Sequence, residues 1–361
     1  DAINLSLLIP ELEKRFGSEN IITIHNGQHY DFYLDGIFFE ELRIRKPNYH
    51  LGMPHGLKQG EQTGFVISKS EEPILKEKPD LHISFSDANS TLMGITAAKN
   101  RIRVMHIESG MLSGDFRMPE EHNRRMVTAI SSYLVTPTDI SFKNLINMGY
   151  PHEKIWMTSK LIIDVIEKFR DKWEKSDILE RLDVSPREFI LCTLHRPENV
   201  EDESTLRNIM KGLELAYENS EKEIIAIFHP RTQQAMVRFG ITKPEGVRAL
   251  TPMGFFDFTK LENNCLMGIT DSGTVEEDLC WFRKPCVTVR LSTERPETEV
   301  VGANYVVGDL TALNIERAVK TMMERDTNWD IPYSLGATGR IASIIQSLEE
   351  KIMKPKVRWY E

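Results

Sequence analysis

The chain has 361 residues, more than one hydrophobic core usually organises, so an α/β protein of two domains with a cleft and a hinge between them is expected. Hydrophobic residues at 40% and charged residues at 27% exclude a disordered chain, and a net charge of −9 excludes nucleic acid as a partner for the surface at large, leaving only a local basic pocket. No apolar stretch approaches the ~20 residues of a membrane span and no basic-then-apolar leader is visible, so a cytoplasmic protein without a membrane partner is expected.

Short β-branched runs alternate with helix-period segments from the start of the chain: NIITIHN, LHISFS, IRVMHI and YLVTP. A lysine-rich stretch from about Ile162 to Pro186 keeps a helical pattern, and the rhythm then resumes with FILCTL, EIIAIF, VRALT, CLMGIT and CVTVR. This alternation predicts two doubly wound parallel sheets in tandem, with domains at 1–160 and 161–336. The last helical segment, TGRIASIIQSLEEKI, cannot be placed from its own pattern. The four cysteines, Cys192, Cys265, Cys280 and Cys286, have no C-x-x-C spacing and read as small buried hydrophobes.

Open parallel sheets bind ligands beyond the carboxyl ends of their strands, so the polar residues that follow each apolar run are the candidates for chemistry. Asp87 follows LHISFS, where it serves either as an N-cap or as a cleft carboxylate. His106 and Glu108 follow IRVM two residues apart, a spacing that puts both on one face of an extended strand. PEEHNRR reads as a helix start, with proline in the first turn and Glu120 and Glu121 near the positive end of the dipole. His195 with Arg196, and His229 with a nearby arginine, end two strands of the second domain and suit an anionic ligand. Asp271-Ser272-Gly273-Thr274 opens a helix with small residues, a pattern that cradles phosphate as well as it caps a helix, and Glu277 one turn on could accept ribose hydroxyls. No metal is expected, because the histidines and carboxylates lie on separate elements without compact H-E-x-x-H spacing. Walker A, G-x-G-x-x-G and G-x-S-x-G patterns do not occur, which leaves carboxylate acid–base chemistry.

Taken in order, HIESG, PEEHNRR, HRPEN, TDSGTVEED and TERPE resemble the non-hydrolysing UDP-N-acetylglucosamine 2-epimerases along almost the whole chain. The resemblance implies the glycosyltransferase-B architecture of two Rossmann-like domains, the segment 337–361 returning to the first domain, and a homodimer. It also implies a reaction without cofactor: the C2 proton is removed and UDP is expelled from C1 to give a 2-acetamidoglucal, and UDP then re-adds as C2 is reprotonated on the other face. Carried over by motif, Asp87, Glu108 and Glu120 flank the sugar and His195 assists. Arg196, His229, Ser272, Gly273 and Thr274 hold the diphosphate, Glu277 binds ribose and Phe258 stacks on uracil.

Departures from the family pattern are equally specific. Members open with a β-strand and G-T-R-P-E, whereas this sequence starts at Asp1, the counterpart of that glutamate, and a preceding strand is expected to be missing. Asn4 stands where the family has lysine, Leu112 where many members have arginine, and Thr274 where a second glycine is common. A possible effector loop, the counterpart of a G-Q-H-R-like segment, keeps Gln28 and His29 only. Rival readings are a hydrolysing epimerase, an epimerase of another UDP-2-acetamido sugar, a glycosyltransferase of the same architecture, and a UDP-sugar-binding protein without turnover.

Overall fold

The computed structural model describes residues 1–27 and 36–353, which form two compact units, Asp1–Glu167 with the segment from Tyr333 onward, and Lys168–Pro332. The joins fall at 167/168 and 332/333, against the expected 160/161 and 336/337. Gln28 and His29 lie outside the described residues.

The first unit carries β1 (Ile24–His25), β2 (Tyr49–His50), β3 (Leu81–Phe85), β4 (Arg103–Ile107), β5 (Tyr133–Thr136) and β6 (Ile155–Met157). The last four form one parallel sheet in chain order, while β1 pairs only with β2 among the described residues. Of the run NIITIHN, only Ile24 and His25 are strand. β4 and β5 are buried at every position, as strands covered on both faces must be. On one side Leu8 and Leu12 of the helix Ala2–Phe16 pack with Met105, Ile107 and Val135, and with Ile341 and Ile345 of the helix Ala337–Ser347. The segment that sequence pattern alone left unplaced is thus part of this unit's core.

The second unit carries β7 (Phe189–Leu194), β8 (Glu223–Phe228), β9 (Val247–Leu250), β10 (Met267–Thr270), β11 (Cys286–Thr288) and β12 (Asn304–Val306). Its sheet is wholly parallel in the order β9-β8-β7-β10-β11-β12, which is the 3-2-1-4-5-6 order of a doubly wound Rossmann sheet. The order reverses between β7 and β10, neighbours that pair Met267 with Ile190 through Thr270 with Thr193. Loops leaving a reversal point part to opposite faces and leave a crevice at the carboxyl end of the sheet. All four cysteines are buried and unbridged, and burial pushes each thiol up, to about 12 for Cys265 and Cys280. No helix among the described residues is long and apolar enough to cross a membrane.

Candidate functional site

In the first unit, the loops after β3 and β4 and one helix N-terminus carry the carboxylates. Asp87 does not cap the short 3-10 turn Asn89–Leu92, whose cap is Ala88. It is paired with Arg124, one turn into the helix Pro119–Ile130, and its backbone carbonyl accepts from Asn123 Nδ2 at 2.9 Å. Arg124 is buried and also holds Glu121 at 2.7 Å. Burial alone would raise the Glu121 carboxyl, but the Ser113 N–H and the guanidiniums of Arg124 and Arg125 keep it below the ordinary carboxylate range. Glu121 is therefore a structural anchor that aims Arg124 at Asp87. Glu120 is half-buried on the first turn of the same helix.

The same-face reading of His106 and Glu108 is corrected. β4 ends at Ile107, and Glu108 adopts a left-handed φ of 66°, so the strand alternation no longer applies to it. His106 is fully buried, with Nδ1 at 3.0 Å from Thr128 Oγ1 and Nε2 at 2.9 Å from the Ser86 carbonyl. Burial lowers its pKa to about 4, so it is a neutral brace for the Ser86–Asp87 turn. Glu108 instead meets Lys160 Nζ at 2.6 Å, an ammonium 1% exposed that also touches Met111 Sδ at 3.4 Å. A left-handed non-glycine backbone and a buried ion pair are both costly, and together they hold one carboxylate in one place.

In the second unit the reversal point between β7 and β10 gathers the remaining candidates. His195 and Arg196 leave β7, and Asp271-Ser272-Gly273-Thr274 leaves β10 into the helix Gly273–Trp281. Ser272 occupies the N-cap position, yet its side chain makes no capping bond, so the first-turn N–H groups are not met by it. Gly273 is required by crowding: a Cβ there would lie 2.7 Å from Glu294 Oε1 and 3.1 Å from Arg295 Cζ. Backbone N–H groups at such a helix start suit a phosphate group.

Asp271, fully buried, receives the backbone N–H of His195 at 3.0 Å and of Arg196 at 2.9 Å, Asn199 Nδ2 at 3.2 Å and His195 Nδ1 at 2.8 Å. Burial would raise its carboxyl, but the adjoining His195 and these N–H donors hold it at about 2. Glu277 is buried and paired with Arg295, which also lies 3.2 Å from Glu294. Its neighbour Glu276 is likewise buried, rather than displayed to the helix dipole. His229 caps the helix Pro230–Arg238 by accepting the Arg231 N–H at 3.1 Å, and with Arg231 and Arg238 it lines a groove of about 520 Å3. Phe258 is half-buried against the core around Leu261 and Val275.

A family model described as UDP-N-acetylglucosamine 2-epimerase matches residues 11–346. This chain belongs to that family. It is 38% identical over 354 residues to the UDP-N-acetylglucosamine 2-epimerase of Methanocaldococcus jannaschii, covering 96% of each chain. The UDP-2,3-diacetamido-2,3-dideoxy-D-glucuronate 2-epimerase of Pseudomonas aeruginosa is 35% identical over 331 residues, covering 91% of each. A solved structure of the M. jannaschii enzyme in complex with UDP-GlcNAc and UDP matches with a TM-score of 0.90 at 36% identity, over 96% of this chain and 97% of that one. The parallel-sheet units are those of the glycosyltransferase-B fold that these epimerases share.

Asp271, Lys160, Arg124 and Arg295 were not among the sequence candidates. Each acts on a candidate residue from another strand or helix; Asp271, Arg124 and Arg295 lie inside the quoted motifs without a role assigned to them, and Lys160 lies outside all of them.

Proposed function

We propose that this epimerase-family protein inverts C2 of UDP-N-acetylglucosamine, giving UDP-N-acetylmannosamine by elimination and re-addition of UDP. In this reading a carboxylate takes the C2 proton as the C1–O bond to UDP breaks. The C–H electron pair becomes the C1=C2 bond of a 2-acetamidoglucal, and UDP leaves with the C1–O pair. UDP then returns to C1 while another acid delivers a proton to the opposite face of C2. Asp87, Glu108 and Glu120 supply the carboxylates, His195 assists UDP departure, Arg196, His229, Ser272, Gly273 and Thr274 hold the diphosphate, Glu277 meets the ribose and Phe258 the uracil.

The observation that carries this reading is the meeting of a held imidazole and a small-residue helix N-terminus at one reversal point, in a chain of this family. A weakly acidic C2–H needs bases fixed in place and positive help for the leaving group. The pair Glu108–Lys160 and the loop around His195 have those properties. The proposal includes a homodimer, a cytoplasmic location, UDP binding in the second unit and proton transfer in the first, all carried by the resemblance.

The likeness to the P. aeruginosa enzyme supports a second reading, inversion of C2 on a UDP-2-acetamido sugar with further substituents, and Asn4 and Leu112 stand where the family more often has lysine and arginine. Incubation with UDP-N-acetylglucosamine and with UDP-2,3-diacetamido-2,3-dideoxyglucuronate, followed by proton NMR, separates them. UDP-N-acetylmannosamine supports the first reading and an inverted diacetamido uronate the second. Free N-acetylmannosamine with UDP means hydrolysis, and no product from either sugar overturns both readings.

A further inference from the structure

Asp271 is placed as no ordinary capping or surface carboxylate would be. It follows β10, the strand beside β7, which His195 follows, and is fully buried, whereas the His195 side chain is 38% exposed. Its two oxygens take two backbone N–H groups of the loop after β7, the Asn199 amide, and one nitrogen of the imidazole. Asn199 is itself fixed, because the same amide nitrogen also donates to the Val289 carbonyl at 2.8 Å. The carboxylate is thus held on several sides, and among the described residues the titratable side chain it meets is His195.

A carboxylate accepts and cannot donate, so the imidazole nitrogen 2.8 Å away carries the hydrogen. In the neutral ring Nδ1–H faces Asp271, and Nε2, which makes no hydrogen bond among the described residues, keeps its lone pair. We propose that Asp271 is a positioning residue for the reaction: it fixes the tautomer and the plane of His195 and stabilises the imidazolium that gives its Nε2 proton to UDP on departure and regains it from UDP on re-addition. The inference rests on the epimerase reading for its kinetic consequence, but the tautomer can be read without turnover. The same loop is tied to the small-residue loop through one residue, since Asp271 immediately precedes Ser272. Moving Asp271 therefore moves the imidazole relative to the helix N-terminus.

The substitution that separates chemistry from packing is Asp271→Asn, which keeps shape and one acceptor oxygen. Two backbone N–H groups compete for that oxygen, so the amide NH2 is turned toward Nδ1 and forces the hydrogen onto Nε2. The experiment is 15N-detected NMR of the full chain labelled at histidine, at about pH 9 where an unperturbed ring is neutral, with His195 assigned by the signal lost in His195→Asn. The expected result is a protonated Nδ1 and bare Nε2 in the wild-type protein and the reverse in Asp271→Asn. A wild-type ring protonated on Nε2, or an unchanged tautomer in the variant, overturns the proposal.

In turnover, kcat should fall by roughly 10²–10⁴ with KM changed only a few-fold, the behaviour of a wrong tautomer in a hydrogen-bonded dyad. Adding Asp271→Asn to His195→Asn should cost little more than His195→Asn alone. A second full loss in the double variant would mean that Asp271 acts by holding the fold and would overturn the positioning role. If Asp271→Asn does not fold, the wild-type tautomer decides. Absence of turnover in a wild-type protein with the expected tautomer would count against the epimerase reading and leave the dyad standing.

Discussion

Replacing Lys160 by methionine tests how the first unit holds Glu108. The ammonium and carboxylate are 2.6 Å apart, with side chains 1% and 8% exposed. At that distance and an effective dielectric of ~20, the gross attraction is about 6 kcal/mol. Methionine keeps most of the packing of the lysine stem and removes the cost of burying an ammonium, but it leaves Glu108 buried without its cation. Breaking a buried pair in this way costs about 3–5 kcal/mol. Because β4 precedes Glu108 and β6 precedes Lys160, the loss should appear in the first unit. Hydrogen exchange read by mass spectrometry should show opening of β4–β6 made easier by that amount, with β7 and β10 of the second unit unchanged. The double variant Glu108→Gln, Lys160→Met should recover much of the loss, because the stranded charge is gone. A loss below about 1 kcal/mol in β4–β6, or a double variant no better than Lys160→Met, would refute the reasoning.

Two further outcomes follow from the second unit. Gly273→Ala places a methyl 2.7 Å from Glu294 Oε1, in a buried ion-pair cluster with little room to give. It should cost about 1–3 kcal/mol of stability and weaken UDP binding by at least about tenfold, measured by calorimetry; unaltered UDP affinity would contradict a phosphate role for this helix start. Glu276 is buried, and burial, opposed by Arg290 but reinforced by Glu294, pushes its carboxyl up to about 8. The folded chain therefore keeps a proton that the unfolded chain releases near its ordinary value of about 4.3. The associated stability is complete below that value and is lost as pH rises toward about 8. The urea midpoint should fall between about pH 5.5 and 8.5 in the wild type and much less in Glu276→Gln, since Thr293 and Asn304 hold the opposite oxygen. Equal pH slopes would show that Glu276 is ionised when folded.

The alternation of β-branched runs with helix-period segments made the parallel sheets legible, and the long runs FILCTL and EIIAIF coincide with β7 and β8 to the residue. The strands it missed, Tyr49–His50, Ile155–Met157 and Asn304–Val306, are two or three residues long, too short to show a period. Candidate site residues were visible because parallel strands put ligand-facing groups just beyond their ends. Their partners were not, because the partner depends on strand order. His195 and Asp271 are separated by 76 positions and meet only because β10 lies beside β7. Lys160 was hidden for a related reason: it follows the short strand β6 and reaches Glu108 from another loop. His106 shows the opposite error, where a two-residue spacing suggested a shared face that the left-handed turn at Glu108 abolishes.

The most direct measurement is proton NMR in deuterium oxide with UDP-N-acetylglucosamine, for the wild-type chain and Glu108→Gln. The account predicts deuterium at C2 of the inverted UDP-sugar with the wild type, and loss of both exchange and inversion by at least ~10² in the variant, with UDP binding kept. Inversion without deuterium at C2, or full activity in Glu108→Gln, would contradict it.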